Sequence, residues 1–481
     1  MDSESTPLFA EVSRHEEIYN RFSPGRKRTI VALVSWSALV PMFASGSFIP
    51  AIPQIAHDMN TTGTTISFAV SLSIFAASLG AMVFATYSGF YGRRPVYLIG
   101  TPLLTLGSIG VALSRTVPEM MVCRFIQAFG TSGGMSVGAA VIGDIYKLTE
   151  RGTAMGIFFG ATLLGPALSP LAGGWGAHYA SWRWTQIALA LAGFAAFVLM
   201  FFFLPETTHP GSRGIDKMHE ADGSLSKQWK WVWLNPFASL TLLRSPNLML
   251  CTLAGAAILI TNFALFIPIA YTIVGPLTIL HPVIDHFQGV KYNISNEFII
   301  GACFVPGGIG NIVGAPLAGY LSDRAVIISR KKYGADSWKP EERLRAALIG
   351  SLIPVPLSVL VSGLITQYVD GTLGLVLNLL CFFVNGVGVD MALTPATAYA
   401  VDVLHSRSAE IMAASIGFRS IILSVAVALV LPSIKRYGVA VTDSTAALIG
   451  WSAYVMIWLT IRYGKQMRDW VDVGYSTIKD T

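Results

Sequence analysis

The sequence has little charge and few cysteines for its length. Charged side chains make up 12% of the 481 residues, about half the share usual in a soluble protein, while 53% of the residues are hydrophobic. None of the four cysteines lies in a Cys/His cluster with the spacing of a zinc site, and there is no Walker-type phosphate loop. Because no apolar stretch carries a catalytic pair of carboxylates or a His/Asp set either, we expect no enzyme, no cofactor and no metal site.

Long apolar stretches interrupt the chain about twelve times, and each is long enough to cross a bilayer. A helix needs about 20 apolar residues to span the hydrocarbon core. The predicted spans are about 29–50, 65–86, 96–114, 119–142, 152–174, 184–204, 248–272, 298–320, 345–366, 373–398, 409–431 and 443–461. The fold class expected is therefore an all-α membrane protein, and most proteins with many spans move a solute.

The longest polar interruption divides the spans six and six. We expect a disordered cytoplasmic N-tail (1–28), a six-helix bundle (29–204), a cytoplasmic linker with an interfacial helix (205–247), a second six-helix bundle (248–461) and a cytoplasmic C-tail (462–481). The tryptophans of the segment Lys227–Trp233 stand beside lysines, as in an interfacial anchor. Two bundles of six helices suggest an internal repeat with a binding site between the halves.

Positive charge is concentrated in the tails and the even-numbered loops. By count, Lys and Arg there outnumber those on the opposite side by about five to one. The positive-inside rule then places both termini in the cytoplasm, so the net charge of +6 reflects membrane topology rather than nucleic-acid binding. Two glycosylation sequons begin at Asn60 and Asn293, both on the predicted outer side, and Asn293 is the better acceptor because Asn60 lies close to the membrane.

Several short motifs occur in order along the chain. They are Gly92-Arg93-Arg94-Pro95 after span two, Arg124 with Gln127 in span four, Gly165–Gly174 in span five, Pro340–Leu344 before span nine, and Asp402 with Arg407 before span eleven. With them the chain resembles the major facilitator superfamily over nearly all of residues 22–462, and is most similar to fungal twelve-span drug:proton antiporters. This sequence departs from the family pattern at Gly89, where an Asp is usual, and at Ala128 and Ser169, where Gly is common.

The resemblance implies a set of gating and motif residues. Arg93 is expected to pair with Asp144, and Asp323 with Arg324 marks the matching loop of the second half. In the family these loops hold the cytoplasmic ends of the two halves together. Without an Asp at position 89, this contact is expected to be asymmetric, weaker on one side. The remaining motif positions are Gly92, Arg94, Arg151, Gly165, Pro166, Pro170, Gly173 and Gly174. The two prolines are expected to bend span five. The alternative is that the arginines only determine topology.

Glycines recur every four residues in spans four and five. Gly130, Gly134 and Gly138 share one helix face, as do Gly152, Gly156 and Gly160. Such spacing predicts close helix packing within the first half.

Several polar or charged side chains lie within the predicted spans, and four of them are the main candidates for the mechanism. Arg124 and Gln127 are one turn apart and are expected to face a central cavity, while Asp390 and Arg419 lie near the middle of spans ten and eleven. Asp390 is the first candidate for a proton carrier, with Arg419 approaching it in one state. A static Asp390–Arg419 ion pair is the alternative. Further candidates for the lining are Asn262, Tyr271, Asn311, Asn378 and Asn385, although each could instead bond between helices.

The sequence therefore predicts a monomeric plasma-membrane secondary transporter in the lipid bilayer. Its cavity would be apolar with one or two cations, which suits a small organic solute with an anionic or hydrogen-bonding end. The prediction is export by alternating access, in exchange for protons. The alternatives are a proton-independent facilitator of polyols, sugars or a secreted metabolite, and a non-transporting nutrient sensor.

Overall fold

The computed structural model describes most of the chain as helix. The residues it describes are 19–146, 151–209, 211, 213–221, 232–268, 292, 294, 296–333, 339–404, 407–471 and 473. In the first half, the spans are Pro24–Gly46, Gly63–Tyr91, Arg93–Leu113, Val117–Thr131 with Gly133–Ile145, Arg151–Tyr179 and Trp182–Phe203. In the second half they are Pro246–Pro268, Glu297–Ala302 with Val305–Tyr333, Arg345–Leu352 with Pro354–Tyr368, Gly371–Val403, Ser408–Tyr437 and Val439–Trp470.

Shorter helices lie between the spans. Ile52–Asp58 follows span one, Gly214–Ala221 belongs to the linker, and 3₁₀ helices cover Ala238–Arg244 and Pro340–Leu344. Local sequence explains several helix starts. Thr116 and Glu119 form a reciprocal capping box at the start of span four, and Thr62 caps span two. Gly92, with a φ of 106°, makes the tight turn from span two into span three that an L side chain would strain.

The expected all-α fold of twelve transmembrane helices in two bundles is confirmed. Eleven stretches of described helix are long and apolar enough to cross a membrane, if spans eight and nine are counted across their short interruptions. The remaining span, the fourth, is divided at Ser132 into two shorter helices. Spans one and twelve also run beyond their predicted bounds, starting at Pro24 and ending at Trp470.

The two halves meet through two pairs of helices. Span two packs against span eleven, and span five packs against span eight. We call the side on which span one begins at Pro24 and span twelve ends at Trp470 the terminal side, and the opposite side the distal side.

Apolar packing differs between the two sides of the membrane. On the distal side one continuous cluster of buried side chains includes Ile52 and Ile66 of the first half and Phe304 and Val427 of the second. On the terminal side each half has its own cluster, around Val34 in the first and Leu344 in the second. Among the described residues, no terminal-side cluster combines the two halves. The halves are thus packed together distally and separate terminally.

Candidate functional site

The distal closure depends on glycine contacts between spans five and eight. A Cβ at Gly174 would collide with the carbonyl oxygen of Glu297 and lie 3.1 Å from the Cα of Gly301. A Cβ at Gly301 would in turn collide with the carbonyl oxygen of Pro170. Backbone therefore meets backbone across the two halves, which is possible only because side chains are missing there.

One polar contact joins the halves at the same place. The imidazole Nδ1 of His178, at the end of span five, lies 2.9 Å from a carboxylate oxygen of Glu297, at the start of span eight. Both side chains are partly exposed, so solvent weakens the pair. No sequence motif marks this contact, and only the packing of spans five and eight identifies it.

Spans two and eleven make the second contact between the halves. The Ser71 hydroxyl donates a hydrogen bond to the carbonyl oxygen of Ser424, and the side chain of Met82 lies against Gly417. Further toward the terminal side this packing ends, because a Cβ at Gly89 would meet nothing within 4 Å.

Spans five and eight also part on the terminal side. A Cβ at Gly156, Gly160 or Gly319 would meet nothing within 4 Å. The prediction of close packing is therefore wrong for Gly156 and Gly160 in this conformation. It holds in span four, where a Cβ at Gly134 would collide with the carbonyl oxygen of Ser37 in span one and Gly138 lies against Phe158.

A polar clasp holds the terminal ends of the first half together. The Nε of Arg93 donates to the carboxylate of Asp144 at 3.0 Å, which is the pairing expected from the resemblance. Glu206, which follows span six, accepts the backbone N–H groups of Arg93 and Arg94 at 2.9 and 3.2 Å. Glu206 thus caps the N-terminus of span three, where a negative charge is favourable. Sequence reasoning assigned no role to Glu206.

The second half has a matching clasp built from different residues. The resemblance pointed to Asp323 and Arg324, but Arg324 is exposed and takes no part in the ion pairs found among the described residues. Arg343, just before span nine, instead lies 2.8 Å from Asp402 at the end of span ten and 3.8 Å from Asp323. Arg343 and Asp402 therefore repeat the arrangement of Arg93 and Asp144. The loop comparison misplaced this repeat because the matching arginine follows a longer connection.

Glu341 adds a second ion pair to that clasp. Glu341 is 4% exposed, and its carboxylate accepts a hydrogen bond from Arg468 near the end of span twelve. Like Glu206, it connects the last span of its half to the start of the third.

The linker crosses from one half to the other on the terminal side. The backbone N–H of Val232 donates to the hydroxyl of Tyr91 at 2.7 Å, and that of Leu234 to Tyr87 at 3.4 Å. The 3₁₀ helix Ala238–Arg244 then packs on span eleven. Most of the Lys227–Trp233 anchor lies outside the described residues, while Trp233 is exposed.

Arg124 and Gln127 are buried within the first half. They are 2% and 1% exposed, and the Arg124 guanidinium donates to Gln127 at 2.7 Å and to the Ala44 carbonyl at 3.1 Å. Gln127 donates to Ser108 and Gln186. In this conformation the pair does not face an open cavity, contrary to expectation, because its hydrogen bonds are made inside the bundle.

The asparagines of the second half have different surroundings. Asn262 donates to Asn385, which in turn donates to the hydroxyl of Ser358, so both connect helices. Asn378 bonds to Ser362. Asn311 differs, because its buried amide oxygen has no hydrogen-bond partner.

Asp390 and Arg419 are not paired with each other. Asp390 lies against Gly314 of span eight, whereas Arg419 lies against Gly255 of span seven, where Leu393 of span ten also packs. Within the described part of the chain, one buried carboxylate oxygen of Asp390 and the buried Nε of Arg419 lack hydrogen-bond partners. The static ion pair is thus absent from this conformation.

The span-five motif divides its contacts between the two halves. Gly165 and Gly173 pack on span one, beside Met42 and the Ser47 carbonyl, while Gly174 packs on span eight. The helix continues through Pro166 and Pro170. Tyr271, Asn293 and the side chain of Arg151 lie outside what the structure describes, and Asn60 is exposed on the distal side.

A buried carboxylate that sequence reasoning passed over lies in span twelve. Asp443 is 2% exposed, faces Gly363 of span nine, and has one oxygen without a partner. It is the first residue of the predicted span 443–461, and sequence reasoning gave it no role.

Comparison with known proteins places the chain among membrane transporters. A family model described as the Major Facilitator Superfamily matches residues 34–434. The efflux pump radE of Floropilus chiversii is 26% identical over 453 residues, covering 92% of this chain and 81% of the relative. Citrate exporter 1 of Aspergillus niger is 28% identical over 331 residues, covering 65% and 60%. The MFS antiporter QDR3 of Candida albicans is 33% identical over 201 residues, covering 42% and 28%.

A solved structure shares the fold. A POT family transporter in complex with 5-aminolevulinic acid superposes with a TM-score of 0.62, covering 91% of this chain and 96% of that chain. At 13% sequence identity, the likeness concerns the fold alone.

Proposed function

The chain belongs to the major facilitator superfamily, and on that premise we propose that it exports a small organic solute in exchange for protons by alternating access. Membership makes it a multi-pass membrane transporter rather than an enzyme. The observation that carries the mechanism is the uneven packing of the halves. One apolar cluster joins them distally, while separate clusters hold each half terminally. Alternating access requires such a conformation and its mirror image.

The direction of the open side follows from charge. We place the terminal side in the cytoplasm, because Lys and Arg are about five times as frequent on that side. The conformation described is then inward-facing, ready to take up a solute from the cytoplasm. We further propose a monomer in the plasma membrane, with Asn293, and less readily Asn60, as glycosylation acceptors facing outward.

The class of solute follows from Arg419. The residue is partly accessible, its side chain lies against Gly255, and it pairs with no carboxylate among the described residues. A cation in apolar surroundings suits a solute with a carboxylate or another hydrogen-bond acceptor. An exporter of organic acids fits this arrangement, and Citrate exporter 1 is one of the relatives.

The coupling ion is assigned to Asp390. Ionisable side chains within a membrane are costly and usually functional. Asp390 is partly accessible and makes no ion pair in the described region, so it can exchange a proton with water without first breaking such a pair. Protonation removes its charge, which favours moving between the open states.

The experiment is comparative metabolite profiling of cells that overexpress the wild-type chain, Arg419→Gln or Asp390→Asn. We expect the wild type to deplete one or a few organic acids from cells and accumulate them outside, and a protonophore to abolish this. Both variants, expressed at the wild-type level, should fail to export these organic acids. Export that survives the protonophore and Asp390→Asn would instead indicate the proton-independent facilitator. No difference in any solute would count against export altogether.

A further inference from the structure

Spans eight and ten pack along a seam in which two polar side chains each face a glycine. Asn311 of span eight lies over Gly386, whose absent Cβ would sit 3.1 Å from the amide oxygen. Asp390 of span ten lies over Gly314, whose absent Cβ would sit 3.2 Å from the Asp390 Cβ. The reciprocal glycines make room in the seam for two polar groups that larger residues would exclude.

The positions of those two groups along the seam follow from helix geometry. The helices run in the same direction, since Gly310 meets Phe383 and Gly314 meets Val387, and Gly386 precedes Asp390 by four residues, a rise of about 6 Å. The side chain of a helical residue leans toward the helix N-terminus, so Asp390 leans toward the level of Asn311. One buried oxygen of each side chain has no hydrogen-bond donor.

Two buried acceptors in one seam, each without a donor, are unfavourable, because each oxygen has lost its hydration. A single proton resolves this. A protonated Asp390 carries one O–H group, which can donate to the Asn311 oxygen, whereas ionised Asp390 can only accept. We propose that Asn311 is the positioning residue for the coupled proton, accepting a hydrogen bond from protonated Asp390 and so strengthening proton binding in the terminal-open conformation. This inference depends on the proposed proton coupling.

Other charged groups do not supply the missing donor. Spans seven, eight, nine and eleven pack on span ten. The titratable or charged groups near span ten are Arg419 of span eleven, Cys251 of span seven near Tyr399, Tyr292, which bonds to Asn378, and a terminal-end set: Glu341, Arg468, and Arg343 with Asp402 and Asp323. In the described region none of these bonds to Asp390. The proton itself moves without other chemistry: the carboxylate takes it from water on one side and returns it to water on the other.

The test needs no knowledge of the solute, because the conformation can be read from Cys303. This thiol is 4% exposed within the distal cluster and becomes reactive when the distal side opens. The other three cysteines are changed to Ala, and labelling by a charged maleimide is followed against pH in lipid nanodiscs. Labelling of a His57→Cys variant, at a side chain 74% exposed, corrects for thiol ionisation. A His178→Gln background removes the imidazole of the distal pair.

We expect labelling of Cys303 to change with pH around one midpoint, and Asp390→Asn to abolish the change. Asn311→Leu should move the midpoint about one pH unit toward acid, a roughly tenfold weaker proton affinity, because one hydrogen bond to the protonated form is lost. Asn311→Ser, which keeps an acceptor, should recover part of the shift. Asn378→Leu, which removes an amide from another network, should leave the midpoint in place.

The failures of the two proposals are distinguishable. If the wild type responds to pH and Asp390→Asn does not, but both Asn311 variants keep the wild-type midpoint, the role of Asn311 is wrong and proton coupling stands. If the wild type is indifferent to pH, or the response survives Asp390→Asn, the proton role of Asp390 is wrong and this inference falls with it. If Asn311→Leu does not fold, Asn311→Ser decides by the same criterion.

Discussion

The glycines of span five offer a matched test of alternating access. Gly174 and Gly160 lie on one helix, and each can be changed to Ala by adding a single methyl group. At Gly174 that methyl collides with the backbone of Glu297 in the other half, whereas at Gly160 it meets nothing within 4 Å. Both changes raise helix propensity by a similar amount, so the propensity effect cancels in the comparison.

The size of the effect follows from the contact at Gly174. The colliding atoms are backbone and cannot rotate away, so spans five and eight must separate by about 1 Å. Overpacking of this kind costs about 1–3 kcal/mol. Since 1.36 kcal/mol is a factor of ten, Gly174→Ala should shift the population toward the distal-open state by about 5- to 150-fold. Gly160→Ala leaves this conformation untouched and adds bulk only where the opposite state must close.

The assay is labelling of Cys303 by a charged maleimide in nanodiscs, with the other cysteines replaced. Cys303 should be labelled about 5- to 150-fold faster in Gly174→Ala than in the wild type. In Gly160→Ala it should be labelled at the wild-type rate or more slowly. The reasoning fails if the two variants label alike, or if Gly160→Ala is the faster. Circular dichroism and size-exclusion profiles of both variants, expected to match the wild type, control for unfolding.

Three further changes probe the polar contacts. Glu206→Ala should lower stability by about 1–3 kcal/mol, seen as a lower melting temperature, because several N–H groups lose a charged acceptor; Glu206→Gln should lose less, and equal losses would deny the importance of the charge. Arg343→Ala should cost on the order of 1–2 kcal/mol and Arg324→Ala close to nothing, whereas the reverse order would support the gating role expected of Arg324 from sequence. Glu297→Gln should speed Cys303 labelling up to about fivefold by weakening the contact with His178, and unchanged labelling would show that the pair does not hold the distal side closed.

The transmembrane plan was predictable from sequence because it depends on composition over long windows. Apolar runs of about 20 residues and a charge bias average over many side chains, so a local irregularity such as the break at Ser132 does not disturb them. The Arg93–Asp144 pair was predictable for another reason, since both residues flank short connections that carry recognisable motifs.

Contacts set by helix rotation were not predictable. Arg124 is buried and Arg419 partly accessible, yet both are single arginines within apolar spans, and one sequence does not give the rotation of each helix. The correspondence of Arg343 to Arg93 was missed because the connection between spans eight and nine is longer than that between spans two and three. The His178–Glu297 contact needs the packing of two halves, which no local pattern encodes.

The distribution of polar contacts explains how two halves can move without large losses. The strong ion pairs, Arg93–Asp144 and Arg343–Asp402, lie within one half each, so tilting the halves as bodies leaves them intact. Between the halves, the distal contacts are glycine packing, apolar side chains and one partly exposed pair. Apolar contacts have no fixed partner and can be exchanged for similar ones on the other side, whereas a buried ion pair cannot be parted without stranding charge. The same reasoning predicts that an ion pair engineered between spans five and eight on the distal side would slow transport markedly, while it would stabilise the fold only slightly.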